Sequence, residues 1–93
     1  MMSQIPINLD KINKNEIDQE ILRVGIIAEL DAINHYEQMA SLTQNSNIKA
    51  ILMDIAKEEK THVGEFQAML LKLDSEQVDE LVAGQKEVEE LTK

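Results

Sequence analysis

Ninety-three residues with eighteen acids, nine bases and no cysteine describe one small domain with a formal charge of −9. The absent cysteines exclude disulfides, thiolate zinc sites, iron–sulfur clusters and cysteine nucleophiles. The charge excludes a nucleic-acid partner, whose phosphates need Lys and Arg, and Tyr36 and Phe66 are the only aromatics on which a base could stack. No apolar run approaches the ~20 residues that cross a membrane, and residues 1–10 lack a secretory pattern, so cytoplasmic residence is expected.

In chain order, residues 1–15 read as an extended lead-in, because Pro6 and the asparagines disfavour regular structure. Asn15 is the expected N-cap of a first long helix running to about residue 43, with Glu16 and Asp18 suited to its positive end. The polar run 44–47 predicts a turn, with Ser46 or Asn47 capping a second helix over 48–73. Asp74, facing Gln77 three residues on, repeats the capping signal. A weaker third helix is expected over 76–91, bent or interrupted near Gly84 and packed between dimers. Residues 16–93 thus form one all-α domain, an antiparallel two-helix hairpin plus a short C-terminal helix.

A turn of about four residues forces the long helices antiparallel. Such a hairpin has an apolar face with nothing over it. Two copies facing one another would dimerise into a four-helix bundle.

The chemistry lies in the apolar stripes. Steps of three and four along the second helix pick out Leu52, Ile55, Glu59, His62, Phe66, Met69 and Leu73, and along the first Leu22, Ile26, Glu29, Ile33 and Tyr36. Ionisable groups hold the middle of both stripes. An unpaired buried carboxylate costs several kcal/mol, comparable to the whole stability of a small domain. No Lys or Arg falls on either stripe, so a metal ion is the simplest counter-charge.

Glu59-Lys60-Thr61-His62 is a Glu-x-x-His motif, which puts a carboxylate and an imidazole one helical turn apart on one face. Di-iron carboxylate bundles use two such motifs plus one Glu from each of two further helices. This chain carries half of that set in Glu29, Glu59 and His62, and a symmetric homodimer completes it around two metal ions. Oxygen-rich ligation with one imidazole per ion suits iron or manganese better than zinc or copper. Tyr36 and Glu65 are candidates to orient the ligands, Tyr36 through a carboxylate and Glu65 through the free nitrogen of His62. Met39, Met53 and Met69 read as core filler, His35 as a surface residue, and Glu58, Lys57 and Lys60 as a solvated face.

The segments Ala28-Glu29-Leu30-Asp31-Ala32-Ile33-Asn34-His35-Tyr36 and Glu58-Glu59-Lys60-Thr61-His62 resemble the encapsulated ferritins. They are particularly similar to the ferritin-like domain fused ahead of the shell protein in some archaeal encapsulins. The resemblance covers about residues 18–91. It implies a ferroxidase centre of two iron ions per dimer, with Glu29, Glu59 and His62 as ligands and Tyr36 beside them. It also implies a ring of dimers inside an encapsulin nanocompartment that stores the mineral. Asp31 matches an acid used for iron entry, whereas Ala28 stands where relatives can carry a further acid. The ending Glu89-Glu90-Leu91-Thr92-Lys93 differs from the short shell-docking peptide of stand-alone members, which fits a domain cut from a fusion or one delivered by another route.

The expected activity is therefore oxidation of Fe²⁺ to Fe³⁺. Two other readings remain: a non-catalytic helical dimer glued by a metal such as zinc, and a rubrerythrin-like peroxidase. The full-length version of the latter would require cysteines that this chain lacks.

Overall fold

The computed structural model describes residues 13–93, which form three helices and no strand. Most of the predicted lead-in lies outside the described residues, but its last two positions are helical. Helix α1 spans Lys14–Leu42, capped by Asn13 rather than Asn15. Asn13 Oδ1 accepts the Glu16 N–H at 2.9 Å, and its carbonyl accepts from Ile17 at 3.0 Å. That satisfies an N–H of the first turn that has no partner inside the helix.

Helix α2 spans Ser46–Leu73 and starts two residues earlier than its apolar pattern suggested. The reason is Asn45, whose Oδ1 accepts from Asn47 and Ile48 at 2.9 and 3.1 Å. The connection thereby shrinks to residues 43–45, too short for anything but an antiparallel return.

Asp74 ends α2 and begins α3, which spans Ser75–Leu91. Its Oδ1 caps Gln77 at 3.1 Å, as the sequence predicted, while Oδ2 takes the Arg23 guanidinium at 2.9 Å. Gln19 Nε2 donates to the Leu73 carbonyl at 3.0 Å, so α1 is tied twice to the corner where α3 departs. The predicted break at Gly84 is absent: α3 runs through it without interruption. Glycine weakens a helix relative to alanine but leaves helical dihedrals fully open.

The core sits between α1 and α2 and is thin. Ile33 and Ala40 on α1, and Ala56 and Leu70 on α2, are the buried hydrophobics among the described residues. With half-buried Ile26 and Val63 they recur every seven residues, the spacing of a coiled-coil seam. This seam is a correction to the expected stripe. On α2 it runs through Ala56, Val63 and Leu70, displaced from Ile55, His62 and Met69 by one residue. Met69 is 51% exposed where Leu70 is 4% exposed. One chain therefore covers one edge of the apolar stripe and leaves the other edge open.

Helix α3 touches the hairpin only near its start. Gln77 and Leu81 face Ile26, Ile27, Gln67 and Leu70 across a cleft of about 320 Å³, and Val78, Leu81, Val82, Val88 and Leu91 are exposed. No helix among the described residues is long and apolar enough to cross a membrane.

Candidate metal centre

Glu29 lies near the middle of α1; Glu59 and His62 lie one turn apart about the middle of α2. The antiparallel return brings them together. His62 Nδ1 is 3.3 Å from Glu59 Oε2 and 3.4 Å from Glu29 Oε2, and one ligand atom of each residue lies within 4.8 Å of the others. The two carboxylate side chains are 19% and 18% exposed. Among the described residues, no lysine or arginine pairs with either.

One ring nitrogen cannot satisfy both acids. Its hydrogen bond goes to Glu59, and Glu29 Oε2 is left buried with no hydrogen-bond partner. An orphaned carboxylate oxygen beside a second carboxylate and an imidazole is a donor set suited to a cation. Metal–ligand bonds of about 2.1 Å place neighbouring ligand atoms of one ion roughly 3.0–3.4 Å apart, the spacing seen around Nδ1. Glu20 Oε2 is also buried without a partner, but no other cluster of three ligating side chains exists among the described residues. Glu29, Glu59 and His62 are a possible metal-binding triad. Three ligands from one chain leave a six-coordinate ion half supplied.

The other predicted site residues are placed less closely. Glu65 lines the same cleft of about 340 Å³ as Glu29, His62 and Phe66; it is exposed, and no hydrogen bond joins it to His62. Tyr36 is half-buried, without a hydrogen bond to any ligand. Seven residues of helix put its Cα about 10 Å along the axis from Glu29. Asp31 is half-buried, and two residues of helix turn it about 200° away from Glu29, towards the opposite side of α1. His35 is exposed as expected.

One neighbour of the site was not singled out in the sequence. A Cβ built on Gly25 would stand 3.1 Å from two ring carbons of Phe66 and 3.2 Å from a third. The usable signal was a glycine in mid-helix, one turn before Glu29, with an aromatic one turn after His62 on the antiparallel neighbour.

The EncFtn-like family model matches residues 4–81. The chain belongs to the EncFtn-like family. It is 60% identical over 86 residues, 92% of its length, to a ferritin-like–encapsulin shell fusion protein of Pyrococcus furiosus, of which it spans 25%. It is 40% identical over 67 residues, 72% of its length, to the encapsulin nanocompartment cargo protein EncC of Myxococcus xanthus, of which it spans 51%. This EncFtn-like chain thus covers a quarter to half of these curated relatives. Its fold matches the crystal structure of the encapsulated ferritin domain from Pyrococcus furiosus with a TM-score of 0.86 and 57% identity, over 99% of this chain and 96% of that one.

Proposed function

We propose that this EncFtn-like domain is a ferroxidase that works as a dimer, each chain supplying Glu29, Glu59 and His62 to a centre for two iron ions. The observation that carries the reading is Glu29 Oε2, a buried carboxylate oxygen with no hydrogen-bond partner in a cluster that, among the described residues, has no lysine or arginine. Iron is the substrate. Each of two Fe²⁺ gives up one electron, and the pair reduces O₂ with two protons to H₂O₂, or H₂O₂ with two protons to two waters. The protein's part is to hold two cations close together against their repulsion. Its carboxylates tolerate the added charge of Fe³⁺, and the acidic surface raises the local Fe²⁺ concentration. Manganese or zinc would occupy the same ligands without this turnover.

Uncovered apolar surface supports the homodimer. Ile48, Ile51 and Met69 lie exposed on the same side of α2 as His62. Pairing across that side would complete both the four-helix bundle and the ligand set. The second exposed apolar region, on α3, suits packing between dimers in a ring. The names of the curated relatives support association with an encapsulin shell. Tyr36 and Glu65 are assigned to the site's surroundings, and Asp31 to iron approach.

The test is anaerobic Fe²⁺ loading followed by aeration, reading iron-to-protein ratio, particle size and oxidation rate together. One iron per chain, an assembly larger than the monomer and rapid oxidation lost in Glu59→Ala support the ferroxidase. Tight binding without oxidation leaves a structural metal dimer, and faster oxidation by H₂O₂ than by O₂ points to a peroxidase. Co-expression with an encapsulin shell, followed by isolation of the shell, tests the compartment.

A further inference from the structure

The three glycines of this chain all lie inside helices, where each costs stability relative to alanine. Two of them have open space where a side chain would stand: a Cβ on Gly64 or Gly84 meets nothing within 4 Å. Gly25 is different. A Cβ built on it would stand 3.1 Å from the Phe66 ring, too close to fit without displacement of a few tenths of an ångström.

That contact lies one rung from the metal cluster. Four residues on from Gly25 is Glu29, and four residues back from Phe66 is His62, so one helical turn separates the Gly25–Phe66 contact from the 3.4 Å Glu29–His62 contact. Phe66 also lines the cleft shared by Glu29 and His62. The ring touches the helix that carries Glu29 and projects from the helix that carries His62. Its thickness therefore sets how close the two helices come where the ligands meet.

Building on the metal centre proposed above, we propose that Phe66, seated on Gly25, is a positioning residue for that centre. It holds Glu29 and His62 at the separation one ion requires. Metal sites tolerate ligand displacements of only about 0.2 Å, and a methyl group on Gly25 would demand a shift of that size or more. The pair is matched in volume: alanine at 25 overfills the rung, leucine at 66 underfills it, and the two together nearly conserve its volume.

The experiment uses Co²⁺ as a probe of the full chain, reading affinity by titration and coordination by the visible spectrum, alongside thermal melting of the metal-free protein. Gly25→Ala should weaken Co²⁺ binding by about tenfold, in the range of groups that orient metal ligands, and alter the spectrum. The same change should leave melting unchanged or raised, because alanine favours the helix. Gly64→Ala, the same chemical change in open space, should alter neither affinity nor spectrum. Phe66→Leu should alter the spectrum by itself, and Gly25→Ala with Phe66→Leu should recover most of the affinity, the non-additivity of a direct contact. Wild-type binding with Gly25→Ala and Phe66→Leu both unaffected, or a double variant no better than the singles, overturns the positioning role and leaves the metal centre standing. A wild-type chain that takes up no Co²⁺ overturns both.

Discussion

On one flank of the α1–α2 hairpin Lys60 answers Glu37 at 3.2 Å and Arg23 answers Asp74 at 2.9 Å. On the other, Glu29 and Glu59 meet only His62 among the described residues. The first flank is ordinary protein electrostatics: each acid, the 42% exposed Glu37 and the 15% exposed Asp74 alike, finds a long flexible cation. The second holds two acids that are mostly out of water and gives them one imidazole. Acidity as such therefore says little in a chain of charge −9. What distinguishes a functional acid here is partial burial on an apolar stripe with no basic residue in reach.

The sharpest way to break this comparison is to remove an acid from each flank. Glu29→Ala or Glu59→Ala should reduce iron oxidation to background and lower metal affinity by more than about a hundredfold, beyond the effect of groups that only orient ligands. Glu29→Leu should meanwhile raise the stability of the metal-free chain by about 1 kcal/mol, because an unsatisfied buried oxygen is lost and an apolar group gained. Metal titration and urea unfolding of one sample read both effects. Loss of binding together with loss of stability would mean that Glu29 is structural.

A second contrast uses adjacent residues on α2. Leu70→Ala should cost about 2–4 kcal/mol in unfolding, the usual price of emptying a core leucine, since Leu70 is 4% exposed. Met69→Ala, at 51% exposure, should leave the hairpin folded and instead weaken self-association, as read by sedimentation against concentration. Equal effects would contradict the division of the stripe into an inner and an outer edge.

That division marks the limit of what the sequence could tell. Periodicity identified both long helices and the three side chains of the candidate triad, because residues three and four apart share a face whatever lies opposite. It could not separate Met69 from Leu70, since both lie on one broad apolar arc and only the partner helix decides which is covered. Caps were read to within two residues. Asn13 and Asn45 displaced Asn15 and Ser46 because several asparagines competed, and hydrogen-bond geometry chose among them. The Gly25–Phe66 contact stayed hidden for a different reason: a glycine shows nothing until the register across the hairpin is known.

At the α3 corner the expected effects are smaller. Asp74→Ala removes both the cap on Gln77 and the Arg23 pair. It should cost about 1 kcal/mol, the typical value for a lost N-cap, and hydrogen exchange should quicken in the first turn of α3. Arg23→Ala should reproduce only part of this, because the cap survives.

The smallest effect is expected at Lys60, and it is the most discriminating. Lys60 sits between Glu59 and His62 in sequence, inside the motif, yet a residue one step from Glu59 and two from His62 points away from both. Its ammonium reaches Glu37, and the two side chains are 59% and 42% exposed. Lys60→Ala should therefore change stability by less than about 0.5 kcal/mol. Iron oxidation should stay close to wild type in moderate salt, where an exposed charge is screened within about 10 Å. A large loss of oxidation in this variant would show that the paired flank also feeds the metal centre, and the contrast between the two flanks would fail.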